Sequence, residues 1–196
     1  MPDSTRLQQA FAAIDRSNAE DPNRELCDGE PRPKELLYGQ RMSACLAEFA
    51  PDSSDALQLA ARSQHIQRWK IARQDYPQGR QGYLNWRREL GQFHARCTGV
   101  IMADLDYEPA SIARVQDLLQ KKRLKQDAET QTLEDVSCLV FLQHYLADFA
   151  RKHSQAKLIN IIQKTWGKMS AEGQAAALKL PLDDALLTLV QKALAG

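Results

Sequence analysis

Two histidines stand at the ends of apolar helical stretches, and an arginine follows each of them closely. His65 lies in the stretch SQHIQRW, and His94 lies in FHAR. A neutral imidazole can transfer a proton, and it is also a common ligand for Zn²⁺, Mn²⁺ or Fe²⁺. A single histidine in such a place more often fills a polar corner of the core. At this point both interpretations stay open.

Two carboxylates precede the most apolar stretch of the chain, VSCLVFLQHYLADFA. Glu134 and Asp135 fit a helix start, in which Thr132 caps the helix and Asp135 completes a motif close to a capping box. They also fit a metal ligand or an acid/base pair beside a buried helix. Imidazole and carboxylate together are a usual ligand set for a divalent metal. The candidate catalytic residues are therefore His65, His94, Asp135 and Glu134, and the candidate metal ligands are the first three.

A third group combines basic and aromatic side chains. Arginine forks suit phosphate or carboxylate groups, and an aromatic face can stack on a base or a sugar. The alternative is a structured loop that is fixed by ion pairs and by tryptophan packing. The candidate substrate-binding residues are Arg68, Trp69, Arg73, Arg80, Trp86, Arg87 and Lys122.

Charge is distributed unevenly along a nearly neutral chain of 196 residues with a formal net charge of +1. Residues 1–61 carry six basic and eleven acidic side chains, whereas residues 62–96 carry eight basic and two acidic ones. A local basic segment favours a local anionic ligand over a whole-surface nucleic-acid binder, although it also fits a surface matched to the acidic part. The four cysteines form no CxxC pair, which argues against a zinc site or a disulfide framework.

The sequence lacks several motifs and segments that indicate particular classes of protein. The sequence contains no glycine-rich phosphate loop, no GxSxG and no HExxH motif. It contains no apolar run of the roughly 18 residues that a membrane span needs, and its first residues have no apolar signal region. We therefore expect a cytoplasmic protein without a membrane partner.

Apolar residues at helical spacing predict an all-α protein of about eight helices in one compact domain over residues 1–196. Helices are expected over 4–14, 34–49, 51–69, 83–102 and 109–126, followed by the apolar helix 136–150. Two or three more should follow, broken at Gly167, Gly173 and Pro181. The proline-rich residues 17–33 predict a loop, and residues 70–82 predict an irregular basic loop.

The whole chain resembles an uncharacterised bacterial and fungal family, domain of unknown function 4202. The stretches that carry the resemblance are NAEDPN, YGQRM, QHIQRW, YPQGRQGYLNWR, FHA, LEDVSCLVF and KTWGKMS. Some members of that family are labelled glutamyl-tRNA synthetases. The sequence gives no support for that activity, because it lacks a nucleotide-binding α/β pattern.

The helix order over residues 36–140 is also similar to the HD-type metal phosphohydrolases. In that family a histidine precedes an arginine by three residues, a His-Asp pair ends the next helix, and an aspartate begins a later one. Here Tyr38 and Arg41 stand at the first two positions, Gln64-His65 replaces the His-Asp pair, and LEDVSCL keeps Asp135 with Ser137 in place of a second aspartate. A second alignment starts at His65 and places His94-Ala95 at the pair. Both imply that His65, His94 and Asp135 lie close together.

The resemblance implies an HD-like helical architecture and a leading hypothesis for function. A divalent metal (Mn, Fe or Zn) held by His65, His94 and Asp135 would activate water for attack on a phosphorylated small molecule or nucleotide. The competing hypothesis is a metal-free helical module that binds an anionic ligand, RNA or a protein partner through the basic segment 62–96. A helical interaction module without a chemical site is the third alternative.

Overall fold

The computed structural model describes residues 2–194, and side chains from residue 5 onwards. The described chain is mainly helical, with ten α-helices and one two-stranded sheet, which confirms the all-α prediction. It divides into two compact units, Met1–Leu124 and Lys125–Gly196. The single domain over residues 1–196 stays a prediction. None of the helices within residues 2–194 is both long enough and apolar enough to cross a membrane.

The first unit contains five helices and a hairpin. The helices are α1 (Pro2–Ala19), α2 (Lys34–Phe49), α3 (Asp55–Ser63), α4 (Gly79–Ala103) and α5 (Pro109–Leu119). Helix α3 packs between α2 and α5, α4 lies along α5, and α1 contacts α2, α3 and α4. The core between them includes the fully buried Ile14, Met42, Leu59 and Leu118. Burying each such side chain contributes about 1.5–3 kcal/mol to the stability of the fold. The packed helices therefore hold the residues at their ends in fixed positions.

The predicted loop 17–33 is wrong in part. Helix α1 continues to Ala19, and two antiparallel strands follow, β1 (Arg24–Cys27) and β2 (Glu30–Pro33). The strands are joined at Asp28 and Gly29, which both have positive φ. An Asp-Gly pair is well suited to such a two-residue hairpin turn. The strands are short and mostly exposed, so they carry no alternation of apolar and polar residues that would reveal them.

Helix α3 ends earlier than the sequence predicts, at Ser63 rather than near Trp69. Gln67 has a left-handed conformation with φ of 51°, which a continuing helix cannot contain. The buried Asn18 fixes this turn, because its Oδ1 accepts a hydrogen bond from the Gln67 backbone N–H at 2.9 Å. Short 3₁₀ turns follow at Arg68–Lys70 and Arg73–Asp75, and α4 begins at Gly79, so the predicted irregular segment 70–82 is wrong for its last four residues. His65 and Arg68 therefore lie in a turn that the Asn18 hydrogen bond stabilises, and not on the face of an α-helix.

The second unit contains α6 (Ala128–Val140), α7 (Leu146–Lys152), α8 (Gln155–Trp166), α9 (Ala171–Ala177) and α10 (Asp184–Leu194). The predicted apolar helix 136–150 is in fact α6 and α7, joined by a π-helical stretch at Phe141–Tyr145. Gly167 follows α8, and Pro181 lies between α9 and α10, as the sequence predicts. Gly173 lies inside α9 instead of breaking a helix, and a Cβ at this position would lie only 2.7 Å from the Asp135 carboxyl.

Candidate anion-binding pocket

A cavity of about 410 Å³ opens in the first unit between the turn after α3, the middle of α4 and the end of α5. Four residues that the sequence singled out line this cavity: His65, Arg68, Arg87 and His94. Lys122, a fifth predicted residue, lines it from the turn that follows α5. The fold thus brings together the histidines and part of the predicted substrate-binding set.

His65 is held by hydrogen bonds at both ring nitrogens. Its Nδ1 lies 3.1 Å from Oε2 of Glu35, and its Nε2 lies 2.8 Å from Nη1 of Arg68. A guanidinium can only donate and a carboxylate can only accept, so the neutral ring must carry its proton on Nδ1. The ring is also stacked on Tyr38, with centroids 3.8 Å apart and planes 11° apart. These contacts make His65 a rigid connection between Glu35 and Arg68.

The electrostatics agree with this proton arrangement. Burial, together with the charge of Arg68, holds the pKa of His65 well below its usual value of 6.5. Burial raises the pKa of Glu35 from 4.5 to about 6, although Arg68 and Lys34 oppose that rise. At neutral pH, Glu35 is therefore largely ionised and His65 is neutral. The result is a carboxylate–imidazole–guanidinium chain that ends in the pocket.

Arg68 is supported from a second side by Trp86. The guanidinium carbon lies 4.8 Å from the centroid of the Trp86 ring, which is within the range of a cation–π contact. Trp86 is itself fixed, because its indole N–H donates to the Ile71 carbonyl at 3.0 Å. Burial, and then the positive charge of Arg87, lower the pKa of Arg68. Two arginine charges thus oppose each other at the pocket, and an anion between them would relieve that repulsion.

Three further cations complete the lining. Arg88 comes from α4, and Lys121 and Lys122 come from the turn after α5, where Lys121 has a φ of 52°. Lys122 is exposed and forms an ion pair of 2.7 Å with Asp117. Among the described residues, the pocket lining contains five arginine or lysine side chains and no aspartate or glutamate. The pocket is therefore electrostatically suited to an anion.

His94 has one nitrogen engaged and one without a partner. Its Nδ1 lies 2.8 Å from the Ile66 carbonyl, so the ring proton must be on Nδ1. Its Nε2 is buried and, within the described part of the chain, has no hydrogen-bond partner. Burial, with a contribution from the charge of Arg68, holds the pKa of His94 well below its usual value. The residue lines the pocket, and its buried Nε2 is a hydrogen-bond acceptor.

Sequence comparison gives the chain a family but no activity. Residues 8–190 match the family described as domain of unknown function DUF4202. The chain belongs to the DUF4202 family. No curated protein and no solved structure matches it. The similarity of this DUF4202 protein to HD-type phosphohydrolases therefore stays a prediction.

The arrangement of polar residues in the DUF4202 protein does not fit the expected metal set. Both ring nitrogens of His65 are engaged, so this residue has no lone pair left for a metal unless its bond to Arg68 breaks. In the range 2–194, no three histidine, cysteine, aspartate or glutamate side chains form a group that could hold a metal ion. His94 alone would supply a single nitrogen ligand, which is fewer than the three or four protein ligands of typical zinc sites.

Asp135 and Glu134 belong to the second unit, in the middle of α6. The carboxylate of Asp135 accepts hydrogen bonds from the Ser170 backbone N–H at 2.8 Å, from the Ser170 hydroxyl at 2.6 Å and from Gln131 at 3.1 Å. Glu134 is buried and lies 3.5 Å from Nζ of Lys168. Asp135 thus attaches the start of α9 to α6, a structural role that the sequence did not indicate.

The predicted helix cap at Thr132 is wrong. Helix α6 begins four residues earlier, at Ala128, and its N-cap is Asp127, whose side chain accepts a hydrogen bond from the Thr130 backbone N–H at 2.9 Å. The Thr132 hydroxyl donates to the Ala128 carbonyl within the helix. The stretch Asp127-x-x-Thr130 is an ordinary capping signal. The prediction placed the helix start too late, because it relied on the apolar stretch that follows.

The remaining predicted substrate-binding residues lie outside the lining of the pocket. Arg80 is exposed at the start of α4, and Arg73 donates to the Tyr76 carbonyl at 3.0 Å. Trp69 is half-buried in its 3₁₀ turn. Trp86 is only 8% exposed, so it supports Arg68 and offers no open face for stacking on a base. The predicted set therefore divides into residues that line the pocket, the buried Trp86 that supports Arg68, and residues outside the pocket.

The sequence missed Glu35 as a member of the site. Glu35 lies in the first turn of α2, where an acidic residue is commonplace, and it precedes His65 by thirty residues. Its backbone N–H donates to Oδ2 of the buried Asp21 at 3.0 Å. The weak signal that could have indicated it is the pair of acidic residues at the two ends of the hairpin segment, but no local pattern connects either of them to His65.

Proposed function

We propose that the first unit of this DUF4202 protein binds the phosphoryl group of a small phosphorylated ligand without a metal. The observation that carries the proposal is the meeting of five cationic side chains in one cavity whose described lining has no carboxylate. A phosphate monoester carries about 1.5 to 2 negative charges at neutral pH, and arginine forks bind its oxygens in a bidentate manner. The support of Arg68 by His65 and Trp86 reduces the entropy that such binding would cost.

Size and shape favour a small ligand over RNA. The cavity volume of about 410 Å³ lies within the range of about 300–1,000 Å³ that is usual for small-molecule sites. The cations face a concave pocket, whereas binding of a single strand requires a groove that follows many phosphates. Arg73 and Arg80, which a longer RNA surface would use, lie outside the pocket lining.

The test is isothermal titration calorimetry with glycerol 3-phosphate and with a single-stranded RNA oligonucleotide. The double variant Arg68→Gln, Arg87→Gln should lose glycerol 3-phosphate binding by at least tenfold, on the order expected for two charged hydrogen-bonding partners. The matched control is Arg80→Gln, which removes an exposed arginine outside the pocket and should leave binding unchanged. Equal losses in both variants would indicate a general charge effect and refute a pocket.

Salt dependence separates the two ligand classes. Binding of RNA through several phosphates weakens steeply as salt rises, because each neutralised phosphate releases counterions. Binding of one phosphoryl group in a partly buried pocket should weaken much less. A steep salt response together with tight RNA binding would favour the RNA alternative.

A second candidate function is hydrolysis of the phosphorylated ligand in the same pocket. The lone pair on Nε2 of His94 favours it, because a neutral imidazole beside a bound phosphoryl group can take a proton from water as the water oxygen bonds to phosphorus. The ester P–O bond then breaks, and the imidazolium returns the proton to the departing alcohol oxygen. Release of inorganic phosphate from glycerol 3-phosphate, lost in His94→Asn, would support this function. Elemental analysis of the purified protein tests the metal-dependent form, and about one metal per chain would support it.

A further inference from the structure

The chemistry of His94 limits what a ligand of this pocket must carry. His94 is 4% exposed, lines the pocket, and has its ring proton on Nδ1, where it donates to Ile66. Its Nε2 can therefore only accept a hydrogen bond. Leaving a buried polar atom without a partner costs free energy, and such atoms in folded proteins call for an explanation. A ligand that donates a hydrogen bond to Nε2 would remove this cost.

A phosphoryl group cannot be that donor at slightly alkaline pH. The second phosphate pKa is about 6, so at about pH 8 the group is a dianion whose oxygens only accept hydrogen bonds. The five cations match those oxygens, but Nε2 of His94 is matched only by an N–H or O–H group. A ligand that satisfies both must therefore present an anion and a hydrogen-bond donor a short distance apart.

We propose that the ligand is a phosphate monoester with a free hydroxyl group, of the sugar phosphate or polyol phosphate class, and that the hydroxyl donates to Nε2 of His94. This inference rests on the proposed function, since it needs a phosphoryl group bound by the cations. Nε2 is buried, so this inference requires the side chains over the ring to move aside when the ligand binds. Five of the residues that line the pocket are arginine or lysine, whose long side chains can adopt other rotamers.

The experiment compares two ligands that differ only in hydroxyl groups, glycerol 3-phosphate and propyl phosphate, by calorimetry at about pH 8. The wild-type protein should bind glycerol 3-phosphate about five- to tenfold more tightly, the ratio that one hydrogen bond to a buried acceptor gives. In His94→Asn this preference should disappear. Asparagine keeps a side-chain N–H near the position of Nδ1 for Ile66 but has no acceptor where Nε2 was.

The outcomes separate the two proposals. If neither ester binds, both the proposed function and this inference fail. If both bind with equal affinity, phosphate binding stands and the hydroxyl inference is overturned. If the preference persists in His94→Asn, the hydroxyl is recognised elsewhere and the assignment to His94 is wrong.

A spectroscopic readout covers the case in which His94→Asn does not fold. The ¹⁵N chemical shift of Nε2 in the wild-type protein reports directly on a hydrogen bond to this atom. It should move on addition of glycerol 3-phosphate and stay in place with propyl phosphate. An identical response to the two esters would contradict the inference.

Discussion

Replacing Glu35 by glutamine should change how the free energy of unfolding depends on pH. Glu35 is 6% exposed, and burial raises its pKa from 4.5 to about 6. A raised pKa means that the folded chain holds the proton more tightly than the unfolded chain, so that ionisation of Glu35 costs stability. The difference between 4.5 and about 6 corresponds to about 2 kcal/mol.

The sign of this contribution follows from the two pKa values. Its stability is fully present below about pH 4.5 and is lost as the pH rises through about 6. Glutamine is uncharged at every pH, and its Oε1 can still accept the hydrogen bond from Nδ1 of His65. Relative to the wild type, Glu35→Gln should therefore gain up to about 2 kcal/mol between about pH 4.5 and about pH 7.5.

The assay is denaturant unfolding of the full chain at several pH values over that range, followed by far-ultraviolet circular dichroism. The quantity of interest is the difference between variant and wild type at each pH, which cancels titration of groups that the two chains share. Glu108→Gln is the matched control, because it makes the same chemical change at an exposed position, and the pH profile of Glu35→Gln is compared with its profile. A constant difference for Glu35→Gln, or a gain by the wild type at higher pH, would refute the reasoning.

Three other substitutions test separate parts of the account. His65→Ala should weaken glycerol 3-phosphate binding about five- to tenfold in calorimetry, because Arg68 loses the acceptor that orients it; unchanged affinity would contradict this. Asp135→Ala should lower the free energy of unfolding by about 1–3 kcal/mol, because Ser170 loses its acceptor. The affinity for glycerol 3-phosphate should not change. Loss of ligand binding with normal stability would instead favour an HD-type site. Gly82→Ala should destabilise the chain by about 1–3 kcal/mol or more in thermal unfolding, because its Cβ would overlap the Pro77 carbonyl; a wild-type melting temperature would show that this turn adapts freely.

Regular elements were predictable where the local signals agreed. Helix α2 covers Lys34–Phe49, as the apolar spacing predicts, and α5 begins at Pro109, a residue suited to a first helical turn. The end of α3 was not predictable in the same way. Asn18, which is distant in sequence, stabilises the left-handed conformation of Gln67. No residue near Gln67 in the sequence indicates this conformation. Tertiary contacts therefore determine the conformation of the segment that carries His65 and Arg68.

The candidate site shows the same division. The two histidines and several arginines could be selected from the sequence because of their residue types and their places at helix ends. The carboxylate partner of His65 could not, since Glu35 is distant in sequence and looks like any acidic residue in a first helical turn. The metal hypothesis depended on free ring nitrogens, and hydrogen bonds of this kind cannot be read from spacing. The combination of Glu35, His65 and Arg68 appears only when the helices are assembled.

The measurement that tests the central claim most directly is calorimetric titration of glycerol 3-phosphate into the wild-type protein in the presence of EDTA. The account predicts saturable binding at one site per chain that EDTA does not weaken, because arginine and lysine side chains hold the phosphoryl group. Absence of binding, or binding that appears only after a divalent metal is restored, would contradict it.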